Sequence, residues 1–448
     1  MDRWNQPDKK IIVISAAILI FAVLSFGAVE VWSSAIIEVS VFTLMIVWMI
    51  WGRTETHLQP VQEQKYMIIV IFGFLLYTLV QMIPFPAVLL KYLSPESYSI
   101  YSYYTTDKDP AMAISIYPYK TGVEFLRMLT YVLFFVILSY SIHDRSTLTK
   151  MMKILVFFGF VLALFSLLQT ATWNGKLYWL REIPVGGRPF GPFVCRNHYA
   201  GFINMIIPLS LGLALTKKSK EKQILFGFFG LIMSVSLFFS LSRGGIISFL
   251  TGIVVFTFLL SWNKLRAKKV WVLVFFAFIV FLYVLYLGID PLIDRFYKTD
   301  VTGEERFVVW SITFNAFKDF FLTGSGIGTF IHMFPFYASE YFYLIYDHAH
   351  NDYLEFLLEA GLIGTSLLLI FVLFFIRSMV RSRWDGHIGI FKIALISSII
   401  TMAVHSFFDF NLHIPSNALL LSAIVGMAVA ASRLASSQPD KLGEEGET

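Results

Sequence analysis

Apolar runs of membrane length alternate with short polar stretches along most of the chain, and this rhythm predicts the elements. A helix needs about 20 mostly apolar residues to cross the hydrocarbon core. On that criterion about twelve spans are predicted, near 11–28, 34–51, 66–83, 123–142, 151–170, 198–216, 223–241, 244–262, 270–288, 355–376, 391–409 and 416–434. One stretch breaks the rhythm: Ile289 to Gly361, a polar insert of about seventy residues. It is rich in Phe, Tyr and Trp, which argues for order, because disordered segments are poor in aromatics. Within it, Glu304 to Leu322 reads as an amphipathic helix, with Phe307, Phe314, Phe317 and Phe321 at spacings of 3, 4 and 7. Such a helix lies along a membrane or covers a cavity. GSGIG (324–328) follows as the turn that ends it, with Gly at the C-cap. No βαβ context makes it a dinucleotide loop.

Composition strengthens the membrane reading. The chain is 57% hydrophobic and 15% charged, with a mean hydropathy of +0.70. Soluble domains carry roughly 25% charged residues, and a transmembrane barrel would show ~10-residue alternating segments instead. The expected fold is therefore all-α: a polytopic helical membrane protein, one domain over 1–434 with an insert at 289–354, and a disordered cytoplasmic tail at 435–448. The first apolar run continues without a small-residue cleavage site, so it reads as a span and not as a signal peptide.

Charge sets the orientation. The loops at 1–10, 52–65, 143–153, 217–222, 263–269, 377–392 and 433–448 carry most of the 35 Lys and Arg residues, although they are the shorter set. By the positive-inside rule these are cytoplasmic, as are both termini, and the insert with the loops 84–122 and 171–197 faces outward. The net charge of +5 is thus a topology signal and no sign of nucleic-acid binding. The single Cys195 excludes an internal disulfide. The tyrosines at 98, 101, 103, 104, 117 and 119 suit a membrane–water interface.

The candidate chemistry gathers on the outer face. Arg243 sits in SLSRGG at a break between two apolar runs, and Arg306 opens the insert helix with Trp310 one turn later. Arg188 and Arg196 lie in RPFGPFVCRNHYAG, beside Asn197 and His198. Outward arginines suit a phosphate-bearing lipid, because guanidinium binds phosphate oxygens through a bidentate fork. They equally suit side chains that snorkel to the interface. His348 and His350 precede a predicted helix that Asn351 could cap, with Asp352 and Glu355 in its first turn. An outward histidine can act as a general base, or simply be hydrogen-bonded at a loop–helix junction. Asp347, His348, His350 and Asp352 lack the spacing of a known metal motif.

In their order these segments resemble the bacterial O-antigen ligase and O-antigen polymerase superfamily. The resemblance rests on NHYAGFINMIIPL (197–209), LSRGG (241–245), R-x-x-x-W (306–310) with the GSGIGTF turn, and HNDYLEFLLEAGLIG (350–364). DFNLHIPSNALLL (409–421) is also similar, and the first 190 residues match only in hydropathy. The resemblance implies a GT-C-like membrane glycosyltransferase in the bacterial inner membrane, its site facing the periplasm. It implies transfer of a glycan from a polyprenyl (undecaprenyl) diphosphate carrier to an acceptor hydroxyl, with no metal, no cofactor and inversion at the anomeric carbon. The acceptor is lipid A–core for a ligase and another repeat unit for a polymerase. Arg243 and Arg306 match the arginines thought to hold the diphosphate, and His350 the histidine proposed to assist the acceptor hydroxyl. Arg188, Arg196, Asn197, His198, His348 and Asn351 are the candidate substrate-binding residues. Two readings of another class remain at this point, a transporter of a lipid-linked glycan and a scaffold. A transporter would place more charges mid-span and show internal repeats; Arg127, within a span, leans that way.

Overall fold

The computed structural model describes residues 7–51, 62–105, 112–183, 188–262, 301–338 and 346–436. Its helices are α1 (Pro7–Leu24), α2 (Val31–Trp51), α3 (Gln62–Met82), α4 (Ala87–Leu93), α5 (Pro95–Tyr104), α6 (Pro118–Ser141), α7 (Arg145–Ala171), α8 (Arg196–Thr216), α9 (Lys220–Phe239), α10 (Arg243–Trp262), α11 (Val301–Asp319), α12 (Phe330–Tyr337), α13 (Asp352–Arg381), α14 (Gly386–His405) and α15 (Pro415–Ser436). Ten of them are long and apolar enough to cross a membrane. The chain is an all-helical, polytopic membrane protein. Each predicted span coincides with a helix, except 270–288, which lies outside the described residues. So do residues 289–300 and 339–345 of the predicted insert and residues 437–448 of the predicted tail.

The bundle is organised around α8. This helix is apolar on every side and buried along its length, as expected for a helix surrounded by others. Tyr199, Phe202 and Ile206 are wholly inaccessible. Helices α7, α9, α10 and α14 surround it. A second group pairs α3 with α13 and α6 with α15. Its four helices enclose an apolar cavity of ≈ 450 Å³.

The insert forms a layer over one end of the bundle. Helix α11 buries Val309, Ala316 and Phe317, and Phe320 just beyond it, against α12 and the start of α13. It stops at Asp319, three residues short of the expected end. Phe307, Phe314 and Phe321 point outward, and of the expected aromatic row only Phe317 packs inward. The GSGIG turn then locks onto α13. Gly361 there adopts φ 60°, ψ −169°, which breaks the helix. The carbonyls of Leu358 and Glu359 accept from the N–H groups of Ser325 (2.9 Å) and Gly326 (3.0 Å). Gln81 of α3 completes the joint, its Nε2 donating to the carbonyls of Thr323 (2.9 Å) and Glu359 (3.0 Å). Every polar group exposed by the break needs such a partner at membrane depth.

Candidate active site

Four helix N-termini, those of α8, α10, α13 and α15, meet the C-terminus of α14 at one end of the bundle. The segment joining α14 to α15, residues 406–414, threads between them. Asp352 N–H donates to the Ser406 carbonyl at 2.9 Å, and Asn417 Nδ2 donates to the His198 carbonyl at 3.0 Å. This convergence gathers most of the candidate residues.

His350 and Asp409 form its centre. His350 Nδ1 lies 3.1 Å from Asp409 Oδ1. Asn197 Nδ2 donates to the other carboxylate oxygen, and Phe410 N–H donates to Oδ1 at 2.9 Å. Asp409 is 1% exposed. Burial opposes its charge, but the His350 hydrogen bond and the nearby Arg306 cation outweigh it and hold the carboxyl well below the usual carboxylate range. An ionised carboxylate can only accept, so Nδ1 of His350 is the donor in this bond. The backbone of His350 is left-handed, with φ 51°. Non-glycine residues rarely adopt this conformation, and it collects at functional sites.

Arg306 is anchored to the same segment, and the start of α10, which carries Arg243, packs against it. Arg306 Nη1 donates to the Phe408 carbonyl at 2.9 Å, and Trp310, one turn on, donates from Nε1 to the Ala349 carbonyl at 3.0 Å. Residues four apart share a helix face, so one face of α11 grips both loops of the site. Arg243 is the first residue of α10, capped by Ser242, whose Oγ accepts from Gly245 N–H at 3.2 Å. A Cβ at Gly244 would lie 2.8 Å from Phe408 Cβ, and one at Gly245 would lie 2.7 Å from Ala200 Cβ. The two glycines therefore let the start of α10 press against both α8 and the Phe408 segment, which is why SRGG reads as it does.

A second network backs the first. Glu355 accepts from His348 Nδ1 (2.7 Å), Ala349 N–H (2.7 Å) and His413 Nε2 (3.2 Å). His413 Nδ1 faces Asp352 at 3.0 Å. Burial works against a charge on His413, but Glu355 and Asp352 outweigh it and raise its pKa to about 10, so the ring carries both protons. Phe410 fills the space between the networks, stacked on His348 at 4.3 Å and edge-on to His350 and His198, each at 4.9 Å. Asn351 is buried and spends its side-chain oxygen on the cap of α13, accepting from Tyr353 N–H (3.1 Å) and Leu354 N–H (3.2 Å). His348 and Asn351 thus serve the loop before α13, and His198 lies buried beneath the site.

Among the described residues, two clusters hold enough donor atoms for a metal: His348, Glu355 and His413, and Cys195, His198 and Asp409. The first is already an ion-pair network around a protonated His413. In the second, burial and then the Asp409 charge push the Cys195 thiol up to about 12.

Arg188 and Arg196 stand apart from Arg243 and Arg306, lining a separate cavity. Arg127 is paired with Glu124 at 2.8 Å, one turn away, at the polar end of the large apolar cavity. Sequence reading assigned no role to Asp409, Phe410 or His413. The signal was an acidic residue between two apolar runs, since ionisable groups at membrane depth are functional candidates.

Fold and site together define a membrane protein of many spans, with imidazoles and guanidiniums assembled at one end of its bundle. Over residues 228–369 the chain matches the family model described as O-antigen ligase, and it carries the domain of that superfamily. The match includes Arg243, Arg306, His348 and His350. No curated protein matches the chain.

Proposed function

We propose that the protein is a glycosyltransferase of the ligase type, acting at the outer face of the bacterial inner membrane. It moves a glycan from a polyprenyl diphosphate to a hydroxyl of lipid A–core. The observation that carries this reading is the His350–Asp409 pair, joined through one segment to Arg306 and Arg243.

The chemistry follows from these groups. Arg243 and Arg306 hold the diphosphate, aided by the positive ends of the converging helices. The acceptor hydroxyl gives its proton to Nε2 of His350, and Asp409 steadies the imidazolium that forms. The acceptor oxygen bonds to the anomeric carbon from the side opposite the carrier. The bond from that carbon to the phosphate oxygen breaks, and polyprenyl diphosphate leaves with the electron pair. A single displacement inverts the anomeric centre. The charge that develops on the leaving oxygen meets guanidiniums already in place, which is the most effective form of electrostatic catalysis. The apolar cavity between α3, α6, α13 and α15 supports a lipid-borne substrate, since Ile71, Phe74, Phe135 and Phe371 line it.

The test uses purified protein and a His350→Ala variant, each with a polyprenyl-diphosphate glycan and EDTA, with and without lipid A–core. Glycan on lipid A–core with the wild type, lost in the variant, supports the ligase. Longer glycan on the carrier instead makes the protein a polymerase. Absence of transfer to either acceptor, with donor still bound, points to transport of the lipid-linked glycan.

A further inference from the structure

The cavity lined by Arg188 and Arg196 has a volume of ≈ 230 Å³ and no role in the mechanism above. Its walls come from the end of α7 (Gln169, Trp173), the loop before α8 and the turn between α9 and α10 (Ser240, Leu241). It is small beside the ~300–1,000 Å³ pockets that enclose drug-sized ligands, and suits one charged group or one sugar ring.

The loop carrying both arginines is fixed in place. Arg196 N–H donates to the Arg188 carbonyl at 2.8 Å, and Phe190 and Phe193 exchange backbone hydrogen bonds at 3.1 and 3.2 Å. Gly191, at φ 57°, presses its backbone onto the Ser166 side chain of α7, where any Cβ would collide. Arg188 and Arg196, both permanently charged, therefore line a preformed space. Among the described residues that line it, none is acidic, and neither arginine has a carboxylate partner of the kind Glu124 provides for Arg127. A concave site of one charge sign concentrates ions of the other, and guanidinium pairs best with planar or tetrahedral oxyanions.

The cavity also borders the site. Leu241, with φ 52°, lies two residues before Arg243, and Arg196 immediately precedes Asn197, which bonds Asp409.

From the unpaired arginines of this built cavity we infer a second anion subsite, which binds a phosphate or carboxylate group of the glycan-lipid donor. The inference rests on the transferase reading for the identity of the ligand, though not for the existence of the site. The anion has two possible sources: the distal phosphate of the carrier, or an acidic sugar of the glycan.

Binding is measured first, without turnover. Purified protein is titrated with inorganic pyrophosphate and with glucuronate, followed by intrinsic fluorescence, and Trp173→Phe reports whether the signal arises in the cavity. At least one anion binds, and Arg188→Gln and Arg196→Gln each weaken it about tenfold or more. Thermal unfolding confirms that both variants remain folded. No binding of either anion, or binding unchanged in both variants, overturns the inference. Donors with a neutral and with a uronic-acid repeat then separate the sources. A KM that rises in the variants for both donors assigns the carrier phosphate, and a rise confined to the acidic donor assigns the sugar. Anion binding without any transfer leaves the subsite standing and removes the transferase reading instead.

Discussion

His350 is hydrogen-bonded through Nδ1 to Asp409, 59 residues further along the chain, at 3.1 Å. The first residue precedes α13 and the second follows α14, so the pair ties the start of one helix to the end of the next at one end of the bundle. Asp409 fixes both the tautomer and the direction of the imidazole. Asp409→Asn keeps the shape of the site but can donate to Nδ1 and favour the wrong tautomer. Transfer in this variant is expected to fall about 100-fold or more in kcat with KM little changed. Steady-state kinetics on detergent-solubilised protein, with a melting curve as the folding control, decides the point.

Arg243 and Arg306 are expected to act on kcat as well as on KM, because the charge they meet grows as the carrier leaves. Substitution of either by Ala should cost about 100- to 1,000-fold in kcat. Lysine should rescue Arg306 poorly, since an ammonium cannot bond the Phe408 carbonyl and keep a fork free for phosphate. Recovery above about one third of wild-type kcat/KM in Arg306→Lys would show that charge alone suffices there.

His413 gives a pH signature for stability. Its folded pKa is raised to about 10, above the ~6.5 of an unfolded histidine. The stabilisation it contributes is fully present below about 6.5 and is lost as pH rises through about 10. Wild-type protein should therefore lose melting temperature between pH 6.5 and 10, and His413→Gln should lose much less over that range. Parallel slopes for the two proteins would refute the assignment of a charged ring.

The joint between the GSGIG turn and α13 should be intolerant of any side chain. Gly324 is at φ 71°, and a Cβ there would collide with the Glu359 carbonyl. Gly324→Ala is expected to destabilise the fold by about 2 kcal/mol or more, through strain at a positive φ plus the collision. Thermal unfolding measures this directly, and a change below about 0.5 kcal/mol would mean that the turn can move away.

Much of this was legible in the sequence. Span length and apolar content mark the helices, because crossing a membrane imposes a length on any sequence that does it. Asn351 before an acidic first turn marks the start of α13, a local rule that needs no tertiary knowledge. Arg243 stood out as an ionisable group at a span end, and Arg306 and His350 as ionisable groups of the insert. The pairing of His350 with Asp409 was not legible, because α13 packs on α3 and α14 on α8, and only the tertiary arrangement of the two groups brings these residues together. The outward set of Phe307, Phe314 and Phe321 escaped for the same reason: spacing identifies a helix face but not what the face meets. Arg188 and Arg196 read as substrate-binding candidates beside Arg243 and Arg306, and the sequence did not show that the loop closed by Phe190 and Phe193 places them at a different cavity.

The segment from His405 to Phe410 also has a meaning in time. Asn197, Arg306 and His350 leave the ribosome well before it and hydrogen-bond to it, and Gly244, next to Arg243, packs against it. A growing chain thus carries its imidazole and guanidinium groups unassembled until α14 and α15 are inserted. On the proposed function, the site is complete only once α14 and α15 have entered the membrane.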